Sequence, residues 1–459
     1  ELLSLLENHV DSSYLSENDV GSISATNHRK RILMIKAVQN LRENVLPSLE
    51  KDFIIKYTFR VHYQKDEFRR ICSKIMTHRE YKKFNKSKNI LWGVLGSVAE
   101  WYEFVVYGFS ATFLGPLFFP VEDPFLSMLA VFGAFASGFI VRPLGALIFG
   151  YFGDRYSRKK TMSFAIILIG LPTLIMGLLP TYETIGVFAP IILVIVRLLQ
   201  GISVGGQFTG SSVFINEHIG NKNRYLGAGI TFTGAFLGML LASGVSAIFS
   251  NLLTFDQLAR WGWRIPFLFG IFVTLLGYYV KAHATEPEGF SHVKEEHKLS
   301  SNPIIGAFKH EKVNMLLACV ACWLAPVIVY QLFIFMPIYA NRYLNVFLGE
   351  ALDISTIAMV TIALATVFFG FLADRIGFPL VMVTAATLLF LGGFPLYYWL
   401  YHNPDRLIIV QLIFALLGGA FIAPLMRVLS DMFIIKFRYT ALSFSYNLGF
   451  GLFGGSAAL

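Results

Sequence analysis

Four charged residues lie inside long apolar stretches of the sequence: Glu100, Glu103, Arg142 and Arg197. Glu100 and Glu103 are three residues apart, so on a helix their carboxyl groups share one face. A buried carboxyl can exchange a proton, because burial favours its protonated form while a nearby guanidinium favours its ionised form. An arginine can also hold a carboxylate through two parallel hydrogen bonds. We predict one buried cluster in which Glu100, Glu103 and Arg197 serve proton exchange, chiefly at Glu103, and Arg142 binds an anionic group.

The elements that position these residues are membrane-spanning helices, as the composition indicates. Of 459 residues, 55% are hydrophobic and 15% charged, and the mean hydropathy is +0.60. Soluble domains carry about 25% charged residues. The first 88 residues alone hold 17 of the 38 Lys and Arg and 11 of the 29 Asp and Glu. This composition excludes a soluble enzyme, a disordered chain and a disulfide scaffold, and it predicts an all-α integral membrane protein.

A helix needs about 20 apolar residues to cross a bilayer. Eleven segments of about that length follow one another, at 90–117, 126–152, 162–180, 185–213, 226–250, 264–282, 313–339, 352–372, 379–401, 407–429 and 440–459. The longest polar break after the leader, 283–312, follows the sixth segment. We expect four parts: a basic cytosolic helical extension (1–88), a six-helix bundle (89–283), a cytosolic linker (284–312) and a helix bundle (313–459) that stops before a twelfth helix.

Three polar breaks on the same side of the predicted helices are basic. The breaks at 153–160, 216–224 and 430–438 contain Lys and Arg, whereas those at 120–125 and 181–184 contain acidic residues and no base. Lys and Arg accumulate on the cytoplasmic side of a bilayer. We therefore expect the N-terminus and the basic breaks to lie in the cytoplasm.

An Asp-Arg pair follows both the second and the eighth segment, as Asp154-Arg155 and Asp374-Arg375. Internal repeats of this scale are typical of secondary transporters. The chain resembles the major facilitator superfamily, whose loop motif is G-x-x-x-D-R-x-G-R-R/K. That motif is matched by Gly150, Asp154, Arg155, Arg158 and Lys159, with Ser157 at the second glycine position.

Further motifs resemble the metabolite:proton symporters of that superfamily, which include proline/betaine and α-ketoglutarate permeases. They lie at 100–108, 142–145, 197–206, 261–267 and 438–447, and the resemblance spans 90–459. Three positions depart from the pattern: Gln207 replaces an acid, Glu103 replaces an aspartate, and Phe378-Pro379 replaces two bases of the second loop motif. We expect this second loop contact to be weak.

The resemblance implies a fold of two six-helix bundles that works by alternating access. It implies proton-coupled symport of a small organic acid, amino acid or betaine-like solute across a bacterial inner membrane. We expect a monomer whose partners are solute, proton and lipid, with no nucleic acid, cofactor or metal. No catalytic or nucleotide-binding motif occurs, which argues against an enzyme.

Two sets of residues complete the predicted site. Aromatic faces attract quaternary ammonium groups, and uncharged polar groups in apolar segments can bond a solute or a neighbouring helix. The candidate solute-binding residues are Arg142, Trp101, Tyr102, Tyr107, Gln207, Tyr330, Gln331 and Asn447. The candidate gating residues, implied by the loop motif, are Asp154, Arg155, Arg158, Lys159, Asp374 and Arg375.

Three alternatives stay open at this point. The charged residues could form permanent ion pairs, Glu100 with Arg142 or Glu103 with Arg197, that only fix helix packing. Because Gln207 cannot titrate, the protein could be an uncoupled facilitator or exchanger. It could also be a membrane sensor or scaffold that acts through residues 1–88.

Overall fold

A computed structural model describes residues 78–287, 290–291 and 302–456. The chain divides into two compact units, Glu1–Lys86 and Ser87–Leu459. The helical extension predicted within 1–88 falls almost entirely outside the described residues, and the division into four parts stays a prediction. Within the described ranges, all regular secondary structure is helical.

The eleven predicted segments all coincide with helices, four of which are interrupted. We label them α1 (His78–Phe118), α2 (Pro124–Ile140 and Arg142–Arg155), α3 (Arg158–Leu178), α4 (Phe188–Ile219), α5 (Arg224–Leu252), α6 (Ile265–Leu268 and Gly270–His283), α7 (Lys312–Ala321, Leu324–Tyr330 and Met336–Tyr343), α8 (Leu348–Ile376), α9 (Phe378–His402), α10 (Leu407–Ile422 and Leu425–Asp431) and α11 (Arg438–Ser456). Short helices lie between them at Tyr182–Ile185, Phe255–Arg260 and Pro303–His310. A π-helical turn at Gln331–Phe335 joins two parts of α7.

Nine stretches of the described residues are long and apolar enough to cross a membrane, and they correspond to α2 through α10. α1 and α11 are helices of 41 and 19 residues that carry more polar, aromatic and glycine residues. The prediction of an all-α membrane protein is confirmed.

Local sequence explains where the helices that carry the site begin. The Asp123 carboxylate accepts a hydrogen bond from the Phe125 N–H (2.8 Å) at the start of α2. The Ser157 hydroxyl accepts one from the Lys160 N–H (3.0 Å) at the start of α3. Serine therefore supplies a helix N-cap at the position where the loop motif usually has glycine.

Glycines bring α2 and α4 into backbone contact. A Cβ atom added at Gly145 would overlap the backbone of Ile202, and one added at Gly205 would overlap the backbone of Arg142. Small residues permit such close approach between membrane helices. The close crossing holds Arg142 of α2 near Arg197 of α4, and the two guanidinium groups interact electrostatically.

We call the end of the molecule where α2 ends and α3 begins the basic end. By the alternating direction of the helices, α4, α8 and α10 also end there, and α5, α9 and α11 begin there.

Candidate functional site

A small cavity inside the α1–α6 group contains three of the four predicted charged residues. Glu103, Arg142 and Arg197 all line it. Its free volume is about 10 Å³, which is room for about one water molecule. Its other lining residues are Phe135, Gly138, Ile169, Gln200, Gly201 and Val204.

Arg197 is held in a fixed position in this cavity. Its guanidinium carbon lies 3.9 Å from the ring centroid of Tyr107. Its Nη1 donates to the Gln200 side-chain oxygen (2.8 Å), and the Gln200 amide donates in turn to the Thr173 hydroxyl. The stacked ring and the amide together orient the guanidinium toward the cavity that Glu103 lines.

The Glu103 carboxyl is buried, yet neither of its oxygens accepts a hydrogen bond of standard geometry from any described residue. The Thr173 hydroxyl lies near the carboxyl but donates to the Ile169 carbonyl (3.2 Å). Arg197 acts on it electrostatically, but the two side chains form no ion pair within 4.0 Å among the residues described. A buried polar group without a partner costs about 1–3 kcal/mol, and a charged one costs more. Glu103 is therefore placed where a proton or a water molecule would satisfy it.

Glu100 belongs to a second cluster, which joins the first helix group (α1–α6) to the second helix group (α7–α11). Glu100 of α1, Tyr330 of α7 and Tyr446 of α11 all lie within electrostatic range of Arg142. Glu100 Oε2 and the Tyr446 hydroxyl are both buried and have no hydrogen-bond partner among the described residues. Among the residues that the structure describes, Glu100 and Arg142 form no ion pair within 4.0 Å. We call these four residues the central cluster.

Aromatic rings pack beside the central cluster. The Trp101 ring centroid lies 6.1 Å from those of Phe208 and Phe450. Tyr446 lies 5.5 Å from Phe208 and 5.3 Å from Phe450. The rings come from α1, α4 and α11, so they line the junction of the two helix groups. Such faces can accept a substituted ammonium group.

Tyr102, Tyr107 and Gln207, also predicted to bind solute, have hydrogen-bond partners within the protein. Two tyrosine hydroxyls donate to backbone carbonyls, Tyr102 to Pro266 (2.7 Å) and Tyr107 to Val131 (3.1 Å). Gln207 is fully buried and donates to the Ser211 hydroxyl (3.1 Å). The two hydroxyls and the Gln207 amide therefore donate to groups of the first helix group.

Gln331 and Asn447 also have protein partners. The Tyr397 hydroxyl donates to the Gln331 side-chain oxygen (3.0 Å), and both residues line a separate cavity of about 150 Å³ among α7, α9 and α10. The Asn447 amide donates to the Gly205 carbonyl (2.7 Å) and so joins α11 to α4.

The predicted gating residue Asp154 forms the centre of a contact that joins the helix groups at the basic end. Its carboxylate accepts hydrogen bonds from the Tyr439 N–H (3.1 Å), the Thr440 N–H (2.8 Å) and the Thr440 hydroxyl (2.7 Å). Arg158 donates to Asp154 (2.6 Å) and to Glu217 (3.3 Å), and Arg438 donates to the same Glu217 oxygen (3.3 Å). We call this contact the first latch.

A second latch repeats the arrangement with α8 and α5. The Asp374 carboxylate accepts from the backbone N–H groups of Tyr225 (3.0 Å) and Leu226 (2.9 Å). The Phe378 ring lies 5.2 Å from the ring of Tyr225. The second latch therefore forms without the two bases that are usual in the motif, and an aromatic contact stands beside it.

The other basic residues predicted to gate make different contacts from those of Arg158. Arg155 donates to the Tyr151 hydroxyl of its own helix (2.5 Å). The Arg375 guanidinium carbon lies 4.7 Å from the ring centroid of Phe371, again on the same helix. For Lys159 the structure records bonds of the backbone: its N–H donates to Glu286 (3.3 Å), and its carbonyl accepts from the Ser163 hydroxyl (2.8 Å).

Sequence reasoning missed Tyr446, Glu217 and Arg438. Tyr446 lies one residue before Asn447 in a motif that was recognised, but the motif does not say which side chain faces the centre. Glu217 and Arg438 lie in short polar breaks. Charged residues are expected there simply because such breaks face water. Their pairing depends on the approach of α4 to α11.

Buried carboxyl and guanidinium groups between two groups of membrane helices, closed at one end by repeated latches, define a membrane transporter rather than an enzyme. The chain belongs to the Major Facilitator Superfamily, whose sequence pattern matches residues 104–457. The protein is therefore an integral multi-pass membrane protein, and the resemblance drawn from its motifs is confirmed.

Curated relatives are proline and betaine transporters by name. The Proline/betaine transporter of Salmonella typhimurium is 32% identical over 374 residues, which cover 79% of this chain and 74% of the relative. The Proline/betaine transporter of Escherichia coli K12 is 32% identical over 373 residues, with the same coverage. The Glycine betaine/proline/ectoine/pipecolic acid transporter OusA of Dickeya dadantii is 32% identical over 375 residues, again with 79% and 74% covered.

Solved structures support the fold. The proton:xylose symporter XylE bound to 6-bromo-6-deoxy-D-glucose is 17% identical, with a TM-score of 0.66 over 82% of this chain and 88% of the other. The human organic anion transporter MFSD10 is 15% identical, with a TM-score of 0.56 over 81% of this chain and 93% of the other. At these identities the likeness concerns the fold alone.

Proposed function

We propose that this protein is a proton-coupled symporter of a small zwitterion that carries a carboxylate and a substituted ammonium group. Arg142 binds the solute carboxylate, and the rings of Trp101, Phe208, Tyr446 and Phe450 receive the ammonium group. Glu103 takes up the coupled proton beside Arg197. The basic end faces the cytoplasm of a bacterial cell, because Lys and Arg are concentrated there.

The observation that carries this proposal is the unmet hydrogen-bonding capacity of Glu103. Both oxygens of this buried carboxyl lack a hydrogen bond of standard geometry from any residue described, and the nearby Thr173 hydroxyl donates to a backbone carbonyl. A permanent structural ion pair would satisfy these oxygens. An ionisable group inside a membrane protein is costly and typically marks an ion or substrate pathway. A carboxyl that is neither paired nor exposed is suited to gain and lose a proton.

Two further facts support the solute class. The central cluster sets a guanidinium beside aromatic rings, which complements the two ends of a zwitterion. The relatives are named for proline, betaine and ectoine. Gln207 removes one titratable group, which favours an uncoupled exchanger, but Glu103 retains a carboxyl on the cavity wall.

Binding to the purified full chain tests the solute class. We expect glycine betaine and proline to bind, and dicarboxylates and aromatic acids to bind at least tenfold more weakly. Arg142→Lys keeps the charge but not the bidentate geometry, so it should weaken binding of the zwitterions. Preferential binding of a dicarboxylate would refute the assigned class.

Uptake into proteoliposomes tests coupling separately. We expect a pH gradient to drive accumulation of the bound solute and a protonophore to abolish it. Accumulation that persists with the protonophore, or exchange without accumulation, would identify the uncoupled alternative.

A further inference from the structure

Tyr439, in the first turn of α11, inserts its ring between α2 and α4. The side chain is fully buried. A Cβ atom added at Gly153 of α2 would overlap the Tyr439 ring, and one added at Gly210 of α4 would overlap its hydroxyl. The ring therefore fits only because these two positions have no side chain.

The polar atoms of Tyr439 are also satisfied by the first helix group. Its hydroxyl donates to the Gly206 carbonyl of α4 (2.8 Å), and its backbone N–H donates to Asp154 of α2 (3.1 Å). The guanidinium carbon of Arg158 lies 5.6 Å from the ring centroid. We call Gly153, Gly206 and Gly210 the glycine socket.

Two further side chains continue the same face of α11. Ser443 and Asn447 follow Tyr439 at intervals of four residues, which keeps them in one row along the helix. Ser443 shares a hydrogen bond with the Thr209 hydroxyl (2.6 Å), and Asn447 donates to the Gly205 carbonyl (2.7 Å). The row thus joins α11 to α4 from the basic end inward, with Tyr439 at its outer end.

Tyr439 is near groups of both the first latch and the central cluster. Asp154 and Arg158 of the latch and Glu100 of the central cluster all lie within electrostatic range of its hydroxyl. One side chain of the second helix group is thus near both the first latch and the central cluster.

We propose that Tyr439 is a removable plug, and that seating its ring in the glycine socket holds the basic end closed. Opening of this end requires the ring to leave the socket, because the ring belongs to α11 and the socket to α2 and α4. Tyr439 is a positioning residue: it acts through the packing of helices and contacts no solute in this account.

Spin labels on opposite sides of the basic end test this proposal without any measurement of transport. The labels are attached at Lys160→Cys and Ile434→Cys, both exposed positions, in a full chain whose native cysteines are replaced. Gly210→Ala fills the socket, and we expect it to raise the ratio of the long-distance to the short-distance population about tenfold, since overpacking a tight contact is destabilising. Gly133→Ala is the matched control, because a Cβ atom there meets nothing within 4 Å.

Tyr439→Phe separates the ring from its hydrogen bond. It keeps the ring in the socket and removes only the bond to Gly206, so we expect a shift of about fivefold in the same direction. If Gly210→Ala does not yield folded protein, Tyr439→Ala replaces it, with the same expected direction. Distance distributions for Gly210→Ala, or for Tyr439→Ala in its place, that match those of Gly133→Ala would overturn the proposal, whatever the solute proves to be.

Discussion

Replacing Asp154 with asparagine should open the basic end of the protein. The carboxylate is fully buried and accepts three hydrogen bonds from the first turn of α11, at 3.1, 2.8 and 2.7 Å. A hydrogen bond to a charged group contributes about 1.5–3 kcal/mol and a neutral one about 0.5–1.5 kcal/mol, so loss of the charge weakens a bond by about 1 kcal/mol. The asparagine oxygen can keep the two weakened bonds from Thr440, but its NH2 group cannot accept the bond from the Tyr439 N–H, whose loss costs about 2 kcal/mol. The total is about 4 kcal/mol, roughly a thousandfold shift from the closed toward the open state.

Asp374→Asn is the matched comparison, because Asp374 accepts two such bonds from the first turn of α5. Asparagine can keep one of these bonds, weakened by about 1 kcal/mol, and loses the other at about 2 kcal/mol, which gives about 3 kcal/mol or roughly a 150-fold shift. The label pair at the basic end measures both variants, and their ratio tests whether the second latch is the weaker one. If Asp374→Asn had an equal or larger effect, the number of hydrogen bonds to each aspartate would not determine which latch is stronger, and the reasoning would be refuted.

Two other variants test the packing and the orientation of the site. Gly145→Ala should reduce the free energy of unfolding by about 1–3 kcal/mol, because the added Cβ atom meets the Ile202 backbone. Gly244→Ala is the control and should behave as wild type, because nothing lies within 4 Å of its Cβ position. Thermal unfolding of the purified protein measures both variants, and equal midpoints would contradict the close crossing of α2 and α4. Arg197→Lys keeps the charge but loses the planar stacking on Tyr107. It should lower the accumulation ratio at constant protein level, and an unchanged ratio would argue that only the charge matters.

Much of the fold could be predicted from hydropathy alone, because each span must be both long and apolar. The eleven segments coincide with helices, and the motif residues Asp154 and Asp374 both join the helix groups. Their role could be inferred because the Asp-Arg pair recurs at matching places. The capping role of Ser157, by contrast, follows only once the start of α3 is known.

The central cluster was harder to predict, because it depends on which helices meet. Tyr330 and Tyr446 come from α7 and α11, more than a hundred residues apart in sequence. Composition could not distinguish Tyr446, near Arg142, from Tyr102, whose hydroxyl is bonded to a backbone carbonyl. Periodicity gives the face of one helix but not its neighbours, so pairs such as Glu217 with Arg438 also escaped prediction.

Proton coupling at Glu103 is tested most directly by Glu103→Gln in proteoliposomes, with Glu100→Gln as the comparison. Glutamine keeps the size of the side chain and resembles the protonated acid, with one accepting oxygen and a donating group, but it cannot exchange a proton. We expect Glu103→Gln to retain solute exchange across the membrane while losing all accumulation driven by a pH gradient. Full gradient-driven accumulation by Glu103→Gln would contradict the account.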